Sequence, residues 1–277
     1  MKYGFVMPAG DAADAARLAP IAEQHGWDGF FVWEPVWGVD TWVTLTAAAM
    51  RTERIRLGTM LTPISRRRPW KLASETGTLD RLSNGRVILA VGLGAIDSGF
   101  IEFGEQTDRR IRAELLDEGL AILTGLWKGQ PFSFSGKHYN VKETTFMPPP
   151  PNVQQPIPIW IVGAWNRKKS MDRAVQYQGI LPQVLGENGH ATLTPQHVRE
   201  VREYLIEVNG PERGAQQDII VEGETPGDNP DKAREIIQPW ADAGATWWIE
   251  SHWQIPPDTD TQAYLQTRLE QGPPPVR

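Results

Sequence analysis

The sequence predicts an α/β fold: a single (β/α)8 TIM-type barrel with a short hairpin and proline-rich insertion around residues 129–157. Two observations support this prediction. Strand-like and helix-like segments alternate about eight times along the 277 residues without a break in composition. Residues 87–91, VILAV, are continuously apolar, as expected of a strand buried on both faces of a parallel sheet.

The first half of the chain supplies four predicted strands. Residues 2–7 form a strand, residues 12–25 a helix that ends before Gly26, residues 29–33 a strand and residues 42–50 a helix. Residues 54–94 form a strand–helix–strand unit, with residues 60–64 in the first strand and its turn. Glycines at 92 and 94 end the second strand and let a ligand approach the backbone. Since parallel folds bind ligands at carboxyl strand ends, we expect a site at residues 59–63 and 92–95.

The second half continues the alternation after one interruption. An amphipathic helix covers residues 109–127, residues 132–141 form a hairpin, and Pro148 to Pro151 form a stiff, extended surface link. Further strands are predicted at residues 157–162, 179–185, 218–222 and 246–250, and further helices at 168–177, 195–209, 233–241 and 261–270. We therefore treat residues 1–277 as one barrel domain.

A doubly wound sheet is the alternative architecture. Gly92-Leu93-Gly94 begins like a dinucleotide-binding fingerprint, but Asp97 stands where the third glycine is required. The count of about eight strands favours the barrel.

Composition excludes several classes of function. The net charge is −6 with both signs interspersed, so no basic face for nucleic acid is expected. The chain has no cysteine, which excludes disulfides, thiol catalysis and thiolate metal sites, and we predict no metal site. No segment has the length of a membrane span or the apolar run of a signal peptide. We expect a cytoplasmic protein, a small-molecule substrate and a homodimer as one possible assembly.

The chain contains no self-contained catalytic motif of the serine-elbow, zinc-protease or phosphate-loop type. Two histidines, His190 and His252, follow predicted strands, where a packing role is the alternative to catalysis. Carboxylates at strand ends are Glu34, Glu222 and Glu250. A pair of carboxylates, Glu34 with Glu222 or Glu250, is compatible with glycoside hydrolysis. The alternative role for these carboxylates is to form ordinary salt bridges at the rim of the barrel.

A large barrel without its own catalytic set often takes its chemistry from a cofactor. Four tryptophans at predicted strand ends are suitably placed to flank a planar ring, although packing explains most tryptophans. They are Trp33, Trp37, Trp165 and Trp253. The run Arg66-Arg67-Arg68 is best explained as a solvated loop, and a site for a cofactor's phosphate tail is the alternative.

The stretch IRLGTMLTP…RRPWKLASETGTLDRLSNGRVILAVGLG resembles the luciferase-like family of flavin- and deazaflavin-dependent oxidoreductases. AEQHGWDGFFVWE, PIPIWIVGAWNRKKS and GDNPDKAREIIQPWADAGATWWIE extend the similarity over nearly the whole chain. The resemblance implies a barrel that binds FMN or coenzyme F420 at its C-terminal face. The implied reaction is reduction or monooxygenation of a small organic substrate. A flavin-binding barrel without turnover is a third hypothesis.

The resemblance also implies roles for individual residues. Thr59 and Met60 match a bulge against the cofactor ring, where relatives hold a non-proline cis peptide, and Gly94 and Ala95 match a loop near the ribityl chain and phosphate. The loop implied to bind the phosphate comprises Gly163, Ala164, Trp165, Asn166 and Arg167.

The residues next to Glu34 depart from the family pattern. Glu34-Pro35 replaces an Asp-His pair of many relatives. Proton delivery then falls to Glu34, to water or to His252, so Glu34 and His252 are the catalytic candidates.

Overall fold

The computed structural model describes residues 1–145, 153–186 and 189–274, with only the backbone at residues 189 and 190. Eight parallel strands close into a barrel, and two short strands and a hairpin are added to it. The strands are β1 (Lys2–Met7), β2 (Gly29–Val32), β3 (Arg56–Thr59), β4 (Thr62–Pro63), β5 (Val87–Gly92), β6 (Phe132–Ser135), β7 (Asn140–Thr144), β8 (Ile159–Ala164), β9 (Gly179–Gly186), β10 (Gly189–Ala191), β11 (Asp218–Gly223) and β12 (Trp247–Ser251).

Helices alternate with the barrel strands and form its outer layer. They are α1 (Ala12–Gln24), α2 (Thr41–Ala49), α3 (Pro69–Leu82), α4 (Arg109–Lys128), α5 (Lys168–Ala174), α6 (Pro195–Gln216), α7 (Pro230–Asp242) and α8 (Thr261–Glu270). Six of these helices begin at a residue whose side chain accepts hydrogen bonds from the free N–H groups of the first turn. These N-caps are Asp11, Asp40, Asp108, Thr194, Asn229 and Asp260.

The barrel closes between its first and last strands. β1 pairs in parallel with β12 on one side and with β2 on the other, so that Gly4 lies beside both Ile249 and Gly29. On the far side β8 joins β5 to β9. The predicted (β/α)8 barrel is confirmed, and the alternative of an open doubly wound sheet is wrong.

Three aromatic side chains fill the barrel interior. The ring of Trp160 lies 5.4 Å from that of Phe31 and 5.0 Å from that of Trp247, centroid to centroid. Glycines on neighbouring strands leave the necessary room, since a Cβ at Gly29 would lie 2.6 Å from Phe31 and one at Gly179 would overlap Trp160. This aromatic plug (Phe31, Trp160 and Trp247) leaves the C-terminal mouth of the barrel as the place for a ligand.

The third strand is interrupted where a continuous strand was predicted. Gly58 pairs with Ile88 but Thr62 pairs with Val91, so one extra residue is inserted between β3 and β4, which is a bulge. The cis peptide bond in this bulge joins Met60 to Leu61. The expected position at Thr59–Met60 is therefore wrong by one bond.

The excursion after α4 contains the predicted hairpin, β6–β7. Its turn is held against α4 because the N–H groups of residues 137–139 all donate to the Glu118 carboxylate. Asp80 of α3 accepts bonds from the N–H groups of Val153 and Gln154 and so fixes the returning chain. The proline link predicted at Pro148 to Pro151 lies outside the described residues.

Two features of the second half were not predicted. β9 extends to Gly186 and pairs antiparallel with β10. α6 continues beyond residue 209 to Gln216, with an interruption at Gly210, whose φ of 80° suits glycine. No helix in the described part of the chain combines the length and apolar character that a membrane span requires.

Candidate active site

The mouth of the barrel lies above the aromatic plug. Alternate residues of a strand face the same side of the sheet. Met60 belongs to the cluster of residues that face the barrel interior. On β5, β8, β11 and β12, the residue two positions after the last interior residue also faces inward and therefore lies in the mouth. These residues are Gly92, Ala164, Glu222 and Ser251.

The bulge after β3 turns Met60 and Leu61 toward the barrel interior, and Leu61 is the more accessible of the two. Met60 is buried among the interior residues. Thr59 is fully buried, and its Oγ1 donates to the Ala90 carbonyl oxygen at 3.0 Å. Of the two residues expected against a cofactor ring, Met60 therefore faces the mouth, whereas the Thr59 hydroxyl is bound within the sheet.

The end of β5 forms a glycine edge, defined as Gly92 to Gly94, held by a buried arginine. Gly94 has φ 77°, and a Cβ there would lie 2.8 Å from Pro63 and 2.9 Å from Phe100. Arg112 of α4 donates to the carbonyl oxygens of Leu93 and Gly94 at 2.9 and 3.0 Å. The sequence analysis did not identify Arg112. The only signal for it was weak: it lies one turn into the helix predicted after the glycine edge.

The loop after β8 is tied to neighbouring elements by its own hydrogen bonds. The N–H groups of Ala164, Trp165 and Arg167 donate to Ser170 Oγ and to the carbonyl oxygens of Gln183 and Ala164, respectively. Because these three N–H groups are already bound, the anion-binding groups left in the predicted loop are the Asn166 N–H and the exposed Arg167 guanidinium.

Two side chains of this loop turn away from the mouth. The Trp165 indole donates to Glu200 at 3.0 Å and packs against Tyr204 of α6, so packing, the alternative given for these tryptophans, describes Trp165. The Asn166 side chain binds the backbone of Leu185 on β9. On the neighbouring β9, Ile180 contacts Gly163, which leaves no space for a Cβ there.

Glu34 is a buried and ion-paired carboxylate. Thr62 Oγ1 donates to it at 2.8 Å, and the guanidinium groups of Arg66 and Arg67 lie 3.8 and 3.7 Å from its Oε1. Burial raises its pKa, against the opposing effects of Arg67, Thr62 and Arg66. Arg66 also donates to the carbonyl oxygens of Glu34 and Pro35. The interpretation of the arginine run as a solvated loop is therefore wrong for Arg66, whose side chain is 6% exposed.

Glu250 and His252 form a buried network at the end of β12. Glu250 is fully buried and accepts bonds from Thr225, from the Trp248 indole and from His252 Nε2. Burial alone raises the pKa of Glu250, but the bond with His252, the charge of Arg268 and the Thr225 donors bring it below its usual value. The Tyr264 hydroxyl lies 2.9 Å from His252 Nδ1, so both ring nitrogens of His252 have partners.

Glu222 stands in the mouth without a basic partner among the described side chains. It follows the interior residue Ile220 by two positions on β11. The Trp253 indole donates to its Oε2 at 3.1 Å. Its side chain reaches solvent, yet surrounding protein desolvates the carboxylate and raises its pKa. Sequence reasoning named Glu222 only as a partner for Glu34.

Three of the four candidate tryptophans remain exposed at the rim of the mouth. Trp33, Trp37 and Trp253 are 37%, 78% and 46% exposed. Trp33 and Trp37, with Pro8, line a pocket of about 230 Å³ between the loops that follow β1 and β2. Among the described residues, no group of three or more histidines and carboxylates is placed to hold a metal ion.

A closed (β/α)8 barrel with its polar and aromatic side chains at the C-terminal mouth defines the class of protein. Within that class, the chain belongs to the luciferase-like monooxygenase family, whose model matches residues 3–272.

Curated relatives match part of their own length. An F420-dependent glucose-6-phosphate dehydrogenase of Amycolatopsis mediterranei is 32% identical over 158 residues, which cover 53% of this chain and 46% of the relative. An uncharacterised protein of Mycobacterium tuberculosis is 31% identical over 195 residues, 61% of this chain and 67% of that protein. The chain thus spans about half the length of the first of these relatives.

Solved structures share the fold at low sequence identity. The F420-dependent tetrahydromethanopterin reductase of Methanopyrus kandleri superposes with a TM-score of 0.75 and 17% identity, covering 98% of this chain and 96% of that one. The oxygenating constituent of 3,6-diketocamphane monooxygenase of Pseudomonas putida, in complex with FMN, gives a TM-score of 0.63 and 18% identity, with coverage of 86% and 71%. At these identities the likeness shows the fold alone.

Proposed function

We propose that the protein is an oxidoreductase that uses FMN or coenzyme F420 to reduce or monooxygenate a small organic substrate. The family match over residues 3–272 supports the proposal, as do the dehydrogenase and monooxygenase names of relatives and structural neighbours. The observation that carries it is the mouth itself, in which the bulge at Met60, the glycine edge and the exposed Arg167 lie on adjoining strands above the aromatic plug.

The residues present fit a flat cofactor with an anionic end. Met60 offers an apolar surface. The space beside Gly92 is filled by Leu61 and Val162, and that beside Gly94 by Pro63 and Phe100, so packing within the protein requires glycine at both positions. The Asn166 N–H and the Arg167 guanidinium would hold the phosphate, since arginine stays charged at all physiological pH values. When bound, FMN or F420 would supply a ring that accepts and donates reducing equivalents, chemistry that protein side chains do not provide.

Glu34 and His252 remain the proposed catalytic residues. Burial raises the pKa of Glu34 against the opposing effects of Arg67, Thr62 and Arg66, and a carboxyl whose pKa is set by such competing effects is suited to proton exchange. Its hydrogen bond with Thr62 connects it to the strand that follows the Met60 bulge. His252 requires one of its two hydrogen bonds to open before it exchanges a proton with a ligand.

Two other functions were compatible with the sequence, and each differs from this proposal in a way that can be examined. Glycoside hydrolysis receives no support from the comparisons, and Glu250, one of its candidate carboxylates, is fully buried with both oxygens bonded. A barrel that binds a flavin without turnover shares the proposed cofactor site, so only a reaction distinguishes it.

Titration of the apo-protein with FMN and, separately, with F420 tests the proposal. We expect a change in cofactor fluorescence that saturates at one equivalent for one of the two. Substrate-dependent reduction or reoxidation of that cofactor then distinguishes an enzyme from a carrier. Binding of neither cofactor would contradict the proposed function.

We also propose a cytoplasmic location, with a homodimer as one possible assembly. The absence of cysteine is compatible with a reducing compartment. Sedimentation of the purified protein measures the assembly directly.

A further inference from the structure

Charge divides the C-terminal face of the barrel into two halves. The loops after β1, β2, β11 and β12 (residues 8–11, 33–40, 223–229 and 252–260) contain no lysine or arginine. By contrast, the loop after β4 holds Arg66, Arg67 and Arg68, and Arg167 follows β8. Since β11, β12, β1 and β2 are consecutive neighbours in the barrel, the loops free of lysine and arginine form one continuous arc.

Most acidic side chains of this arc are explained by local structure. Asp11, Asp40 and Asp260 cap helices. Glu34 is paired with Arg66 and Arg67. These carboxylates therefore already have partners within the protein.

Glu222 has no such explanation. It projects into the mouth from the interior face of β11, and its hydrogen bond from the Trp253 indole fixes one oxygen at 3.1 Å. An indole N–H is a neutral donor, so this bond orients the carboxylate without neutralising it. Among the described side chains, none supplies the compensating positive charge.

Exposed indoles surround the same arc. Trp253 lies beside Glu222, and Trp33 and Trp37 line the adjoining pocket. The faces of aromatic rings attract cations, and tryptophan does so most strongly. A carboxylate without a basic partner, bonded to the exposed Trp253 indole, is chemistry that recognises a positively charged nitrogen.

We propose that Glu222 is a specificity-determining residue and that the substrate presents a protonated amine to it. This proposal rests on the proposed function, because it assigns the lysine- and arginine-free arc to the substrate of the cofactor-dependent reaction. A phosphate ester, such as the substrate in the name of the glucose-6-phosphate dehydrogenases, would meet like charge in this arc. A preference for a protonated amine would distinguish this chain from those relatives.

Three alcohols that differ mainly in charge test the proposal: 1-amino-2-propanol, 1,2-propanediol and lactate. Each is titrated by calorimetry into protein already saturated with the cofactor identified above. We expect the amine to bind at least about tenfold more tightly than lactate, the ratio that about 1.4 kcal/mol produces. Glu222→Gln should reduce this ratio to about threefold or less while it leaves cofactor affinity unchanged, because the favourable charge is removed.

Asp258→Asn is the matched control. It removes the same charge from an exposed position of the same arc, and asparagine tolerates the positive φ of 65° found there. The control should keep the wild-type ratio. Undetectable binding of the amine, a preference for lactate, or an unchanged ratio in Glu222→Gln would overturn the proposal. Failure to saturate the protein with either cofactor is a separate result, which overturns the proposed function instead.

Discussion

Glu222 provides a pH-dependent contribution to stability at the level of a single residue. Its pKa is raised by burial in the folded state, so the folded protein holds this proton more tightly than the unfolded chain does. The stability that this proton provides is complete below the unfolded pKa and is lost as pH rises through the folded pKa.

Glu222→Gln should therefore gain stability relative to the wild type as pH rises from about 4 to 7. We expect a gain of about 1 kcal/mol or less, because water reaches the carboxylate and screens it. Urea unfolding of both proteins at several pH values measures the difference. A gain that is constant with pH would show that the carboxylate is not desolvated.

Arg167 provides the second prediction about a single residue. Arg167→Ala should weaken binding of FMN or F420 by about 1–3 kcal/mol, the loss expected for a charged hydrogen bond. Fluorescence titration measures the affinity. Arg51→Ala removes the same charge from the exposed end of α2 and should leave the affinity unchanged, and equal affinity of all three proteins would remove Arg167 from the phosphate site.

The sequence predicted the location of the site better than the partners of its residues. Strand-end positions follow from the alternation of apolar segments, and Met60, Gly94 and Glu34 do lie just after the ends of β3, β5 and β2. Hydrogen-bond partners depend on residues distant in the chain, such as Tyr264 for His252 and Glu200 for Trp165. No local pattern contains that information.

At the level of secondary structure elements, the segment that reveals the family is mainly a support for the barrel. In TLDRLSNGR, Arg86 follows a turn in which Asn84 and Gly85 both have positive φ. Its guanidinium donates five hydrogen bonds, one to the Ser83 carbonyl and the others to Ala49, Thr52 and Ile55. Arg86 thus joins the end of α2, the loop that leads to β3 and the end of α3.

Arg86→Met should destabilise the protein by about 3 kcal/mol or more, because several buried acceptors lose their donor together. Arg81→Met, at an exposed position of α3, is the control and should change stability by less than about 0.5 kcal/mol. Denaturant unfolding gives both values. Similar stability of the two variants would contradict the structural role of Arg86.

At the same level, elements with strong periodicity were predicted well and irregular ones were not. The eight barrel strands and the helix from Arg109 follow clear apolar patterns. The bulge that separates β3 from β4 and the short strand β10 depend on pairing across the sheet, which one strand's sequence does not specify. Gly210 ends one helical segment of α6, but its role was not evident without its φ.

At the level of the whole molecule, ligand binding and stability are coupled. A cofactor that binds only the folded barrel should stabilise it by about 2.7 kcal/mol at a concentration 100 times its dissociation constant. Thermal unfolding with FMN, with F420 and with neither measures this effect. We expect the cofactor that saturates in the fluorescence titration to raise the midpoint, and a cofactor that binds without raising it would have comparable affinity for the unfolded chain.

The aromatic plug of Phe31, Trp160 and Trp247 has a consequence for the order of events in turnover. Because these rings fill the interior of the barrel, the cofactor and the substrate of the proposed function would share one entrance at the C-terminal mouth. The ligand that lies deeper must then arrive first and depart last. Steady-state kinetics should accordingly follow a compulsory sequence, with the leading ligand competing only against the product that leaves last.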